Sequence, residues 1–67
     1  MNDNERQRIG ARIAELRKAK GMSQLQLAEA AGLKQPNIAR IEAGKYSTTL
    51  DVLTKIADAL GVKVDFI

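Results

Sequence analysis

The chain has 67 residues, 45% of them hydrophobic and 28% charged, with a net charge of +3. That is room for one soluble domain, and no apolar run approaches the roughly 20 residues of a membrane-spanning helix. The absence of Cys and His removes disulfides, thiol chemistry, imidazole bases and most zinc or haem arrangements, and the eight scattered Asp and Glu residues form no isolated acid–base pair, so no enzyme activity, cofactor or metal site is expected.

The start, Met1-Asn2-Asp3-Asn4-Glu5, is polar and acidic, unlike a secretory signal, and a cytoplasmic location is the expectation. A first helix is predicted from about Asp3 to Lys20, because Ile9, Ile13 and Leu16 recur at i, i+4 and i+7. Gly21 ends it. Ser23 and Gln26 then have the spacing of a capping box, opening a second helix of about two turns that runs to Ala31. Gly32 stands where the chain must turn sharply, and a third helix is expected from Gln35, with Pro36 in its first turn, to Ala43 before Gly44.

Lys45 to Ser47 read as a loop. Thr48 and Asp51 have capping-box spacing and are expected to open a fourth helix to Leu60, apolar at Leu50, Leu53, Ile56, Ala57 and Leu60 and closed by Gly61. From Val62 to Phe66 apolar and polar residues alternate, the period of a half-buried strand. One all-α domain over residues 1–67 is therefore expected, made of four helices with a strand-like tail at 62–67.

Charge is uneven along this order. Between Arg6 and Lys45 lie nine basic residues against three acids, Glu15, Glu29 and Glu42, a local balance of +6. Such a segment suits a phosphate-rich partner, since neutralised phosphates release counterions; a solvated helix face would give the same excess. Single-stranded nucleic acid is a poor fit, because Tyr46 and Phe66 are the only aromatics available for stacking.

In the segment Gln24 to Ile41, small or apolar residues stand at Leu27, Ala28, Ala31, Leu33, Ile38 and Ile41, with Gly32 at the ninth position. Ala28 sits where a crossing helix would come closest, and Leu27, Leu33, Ile38 and Ile41 fill the wedge beneath. With Gly21-Met22-Ser23-Gln24, Leu27-Ala28, Gly32, Ile38, Ile41-Glu42 and Gly44-Lys45, and later Thr49-Leu50, Ile56-Ala57 and Ala59-Leu60-Gly61, the chain resembles the phage repressor and Cro type (XRE family) of helix-turn-helix domain over about residues 6–62.

This resemblance implies a helix-turn-helix at 24–43 whose second helix lies in the major groove of double-stranded DNA. It places Gln35, Pro36, Asn37 and Arg40 at base edges or nearby phosphates. Gln35 or Asn37 would suit adenine, Arg40 guanine and Pro36 a thymine methyl, while a phosphate contact or solvated surface stays open for Arg40. Gln24 matches a phosphate-binding position, and Lys45, Tyr46 and Ser47 lie in a loop that tracks the DNA backbone. Arg17 and Glu42 match a structural ion pair between the first and third helices. Lys34 departs from the usual Ser or Thr cap, leaving either a weakly capped helix or a phosphate contact.

The tail also departs from the family, which commonly adds a fifth helix. Exposed Val62, Val64 and Phe66 would need cover, either by pairing with a second copy or by folding back on the chain's own helices. The functional expectation is a sequence-specific transcriptional repressor that occupies a near-palindromic operator as a homodimer. The alternative is an autorepressing antitoxin that also binds a toxin protein.

Overall fold

Asn2 starts the first helix: its Oδ1 accepts from the amide of Glu5 at 2.9 Å, with acidic Asp3 and Glu5 in the positive first turn, in the computed structural model, which describes residues 2–65. Four helices follow in order: α1 (Asp3–Ala19), α2 (Gln24–Ala31), α3 (Gln35–Glu42) and α4 (Leu50–Leu60). There is no strand among the described residues, so the architecture is all-α. None of these helices is long and apolar enough to cross a membrane.

The capping box of α2 is complete. Ser23 Oγ accepts from the amide of Gln26 at 3.0 Å, and Gln26 Oε1 accepts from the amide of Ser23 at 2.8 Å. At the other end Gly32 has φ 70° and ψ 31°, a left-handed conformation that an L side chain adopts only with strain. That turn lets the amide of Leu33 reach the carbonyl of Ala28 at 2.8 Å, satisfying an acceptor the helix end leaves over and sending the chain directly into α3. Lys34 precedes α3 with no side-chain cap bond, so this helix start is weakly capped; Pro36 in its first turn costs no hydrogen bond.

At α4 the cap is shifted by one residue from the expected Thr48. Thr49 Oγ1 accepts from the amide of Val52 at 3.2 Å, whereas Thr48 Oγ1 is buried without a hydrogen-bond partner. With Val52 at the third helical position no side chain reaches back, and the Thr48–Asp51 box does not form. The buried stripe of α4 accordingly begins late: Leu53 is half-buried and Ile56, Ala57 and Leu60 are buried, but Leu50 at the helix start is 66% exposed.

The core joins all four helices. Ile9 and Ile13 of α1, Leu27, Ala28 and Ala31 of α2, Ile38 and Ile41 of α3, and Ile56 and Leu60 of α4 form one cluster, with Leu16, Met22 and Leu33 packed at its margin. Leu27 and Ile38, at the centre of the α2–α3 wedge, are both 0% exposed. Gly10 is the one helical glycine, and its reason is contact. A Cβ there would stand 2.2 Å from the carbonyl oxygen of Ile41 and 2.9 Å from that of Glu42, so α1 lies directly on the backbone at the C-terminal end of α3.

Residues 62–65 correct the strand expectation. The amide of Val62 closes α4 by donating to the carbonyl of Ala57 at 2.9 Å. Val62 and Val64 then line an apolar groove of about 180 Å³ between α1 and α4, beside Ile9, Ile13 and Leu53. The alternating residues border a groove formed with helices of their own chain, and Val62 stays 36% exposed. Phe66, expected to share this role, lies outside the described residues.

Gly10→Ala is expected to lower stability by about 1 to 3 kcal/mol through overpacking, although alanine is the better helix former by about 1 kcal/mol. Thermal unfolding followed by circular dichroism checks this; an unchanged or higher melting temperature would mean that α1 can move off α3 freely.

Candidate nucleic-acid interface

The polar centre of the α2–α3 pair is built around Glu42, at the last position of α3. Its side chain is 7% exposed, and that of Arg17, reaching in from α1, is 10% exposed. Arg17 Nε donates to Glu42 Oε2 at 2.6 Å and Arg17 Nη2 to Oε1 at 3.0 Å, a bidentate fork; Nη1 donates to the carbonyl of Met22 at 2.7 Å. The bond to Glu42 holds the Arg17 guanidinium above the ordinary arginine pKa, against the opposing effect of burial. Because that folded-state value is raised, the stabilisation is complete below the unfolded arginine pKa and is lost only in strong alkali, so it is constant around neutrality.

A carboxylate only accepts, and this fixes the direction of the bond from Gln24. Gln24, at the start of α2, must present its NH₂ group, and Nε2 donates to Glu42 Oε1 at 3.1 Å. Its Oε1 is thereby turned toward α3, where Gln35 Nε2 donates to it at 2.9 Å. Gln24, first in α2, is thus held by the last residue of α3, and Gln35, first in α3, by Gln24. An amide has two donors and a carbonyl with two lone pairs, so both glutamines retain hydrogen-bonding capacity beyond this relay.

Around this centre the remaining expected residues line the surface of α3 and the loop after it. Gln35 and Asn37 are half-buried; Lys34, Pro36 and Arg40 are exposed. Arg40 Nη1 makes a long 3.5 Å contact with Asn37 Oδ1, which places the two side chains on one exposed face. The amide of Lys45 donates to the carbonyl of Arg40 at 3.1 Å, bringing the exposed loop residues Lys45, Tyr46 and Ser47 alongside the end of α3. Val62 and Val64 are not part of this surface, since they lie at the α1–α4 groove.

Two contributors escape the periodicity of the sequence. Gly10 looks like an ordinary helix interior, and only its approach to Ile41 shows that it seats α3. Arg6 Nη1 donates to Ser47 Oγ at 3.0 Å, a contact between residues 41 apart that no local pattern signals. Among the described residues no group of three or more His, Cys, Asp or Glu side chains comes together.

Comparisons with known proteins agree on one family. A family model described as helix-turn-helix matches residues 13–67. The immunity repressor protein of Bacillus phage phi105 is 41% identical over 59 residues, covering 88% of this chain and 41% of that repressor. The SPbeta prophage-derived uncharacterized HTH-type transcriptional regulator YonR of Bacillus subtilis (strain 168) is 36% identical over 59 residues, 88% of this chain and 55% of the regulator. This chain thus spans about half the length of these curated relatives. The crystal structure of the restriction-modification controller protein C.AhdI from Aeromonas hydrophila superposes with a TM-score of 0.87 at 35% identity, covering 90% of this chain and 91% of that one.

Glu42→Ala would leave the Arg17 charge buried and Gln24 without its acceptor. The expected loss is about 3 to 5 kcal/mol, comparable with the whole stability of a domain this small, so the variant should be largely unfolded at 25 °C. Urea denaturation measures it, and a loss below about 1 kcal/mol would relegate the pair to the periphery.

Proposed function

This chain belongs to the helix-turn-helix family of transcription-regulator domains, in its phage repressor and Cro (XRE) branch, and on that premise we propose that it binds double-stranded DNA sequence-specifically and represses transcription by occupying an operator. The observation that carries this reading is the Glu42–Gln24–Gln35 relay. It anchors the amide of the first residue of α3 by one N–H and leaves its carbonyl and second N–H uncommitted to this relay, the pair that bonds N6 and N7 of adenine together.

In this reading α3 enters the major groove. Gln35, Asn37 and Arg40 meet base edges, with Pro36 against a thymine methyl. Gln24 contacts a phosphate at the N-terminus of α2, where the first-turn amides of a helix favour an anion. Lys34, Lys45, Tyr46 and Ser47 follow the backbone on either side. Lys34, exposed just before α3, offers an ammonium to a phosphate beside the recognition helix.

A homodimer completes the proposal. Two copies related by a two-fold axis would set their recognition helices about one DNA turn, roughly 34 Å, apart and read a near-palindromic site in the cytoplasm. Val62 and Val64, at the edge of the α1–α4 groove, are the proposed contacts with the second copy. The antitoxin alternative drew on a C-terminal strand, and residues 62–65 form none; the phage immunity repressor among the relatives favours repression instead.

Selection of bound sites from random duplex DNA tests the central claim, which fails if no sequence is enriched. On the selected site Arg40→Ala is expected to cost about 1 to 3 kcal/mol and relax preference at one base pair. Lys45→Ala should weaken binding to all sequences alike and make the salt dependence shallower by about one unit. Sedimentation at micromolar concentration showing a monomer both with and without the site would remove the dimer.

A further inference from the structure

We propose that Arg6, in the second turn of α1 and outside the helix-turn-helix itself, is a DNA phosphate contact that acts together with Ser47, and that Asp3 holds its guanidinium in place until DNA displaces it. The proposal rests on the DNA-binding reading above and extends the interface to a third helix.

Three observations on the structure converge here. Arg6 Nη1 donates to Ser47 Oγ at 3.0 Å, so the guanidinium stands beside the loop proposed to track the backbone. That loop is pressed onto the same stretch of α1: a Cβ on Gly44 would lie 2.9 Å from the Cα of Gln7, which sets the position of Lys45 to Ser47 relative to Arg6. The charges also favour an anion. Residues 43–49 contain Lys45 and no acid, and the carboxylate of Glu42 is turned inward to Arg17 and Gln24. The acid facing this corner is Asp3, which ion-pairs with Arg6 Nη2 while its own side chain is 79% exposed.

An ion pair with so exposed a carboxylate is screened by water and weak, so it orients the guanidinium at little cost to its replacement. A phosphodiester carries two charged oxygens in the geometry a guanidinium forks onto, and Ser47 Oγ can donate its own proton to the same group. The other arginines of α1 have different settings. Arg17 is buried against Glu42, and Arg8 and Arg12 line the α1–α4 groove.

The test measures affinity against salt concentration for the full chain on its selected site and on a duplex of random sequence. Arg6→Gln is expected to weaken both several-fold and to make the log–log salt slope shallower by about 0.9. Arg6→Lys should keep most of the slope, and Asp3→Asn should tighten binding to both duplexes. Arg8→Gln removes the same net charge from the opposite side of α1 and should leave the slope nearly unchanged. If Arg6→Gln, folded by circular dichroism, changes the slope no more than Arg8→Gln does, Arg6 acts only through net charge or through Ser47, and the proposal is overturned. If Asp3→Asn weakens binding, its holding role is overturned. Failure of the unsubstituted chain to bind any duplex would overturn the DNA-binding reading, and this one with it.

Discussion

The carboxylate of Glu42 receives hydrogen bonds from two other helices, two from Arg17 of α1 and one from Gln24 of α2, while belonging itself to α3. Taken out of water it would be costly on its own, and the same holds for Arg17. Each is tolerable because the fork between them is bidentate and their remaining capacity is used, by Met22's carbonyl on one side and Gln24 on the other. The consequence reaches beyond stability. An acceptor-only group at the root of the network makes Gln24 donate to it, and with Gln24 Oε1 accepting from Gln35 Nε2 the amide of Gln35 is anchored at the start of α3.

A network of this kind needs the helices to be at the right separation, and small residues set it. Ala28 and Gly10 are two such small residues within the packed helices. Ala28 is 1% exposed in the core, and Gly10 admits the backbone of Ile41 and Glu42. Leu27 and Ile38 fill the space so left. The left-handed turn at Gly32 opens a link of three residues, Gly32 to Lys34, between the two short helices, which leaves little freedom for their crossing angle. Eight-residue helices such as α2 and α3 would not persist in water alone; their helicity comes from this packing.

The basic residues divide by environment. Arg17 is consumed by the core, Arg8 and Arg12 are paired with Glu5 and Glu15 along α1, and Arg40, Lys34 and Lys45 stand on the α3 side. A count of charges along the chain treats these as equivalent. The structure separates them into a structural cation, surface pairs worth little, and a set available to a polyanion.

Much of this was legible in the sequence, because local rules govern it. The 3.6-residue apolar period marked the first and fourth helices, proline and glycine signals bounded the third, and Ser23 with Gln26 opened the second through a capping box that depends only on residues three apart. At α1 the structure added a cap at Asn2, whose Oδ1 accepts from the Glu5 amide. At α4 two adjacent threonines made the pattern ambiguous, and the one whose hydroxyl met an amide, Thr49, was settled by how the loop enters the helix. The tail was misread for a related reason: alternation records which residues want cover, and whether a strand or a pair of helices supplies it depends on what lies nearby. Gly10 against α3, Arg6 against Ser47, and the direction of the glutamine relay join residues far apart in the chain, so only the tertiary structure could decide them. Sequence spacing determined which helices form and which faces they bury; the distances between their backbones determined which polar groups meet.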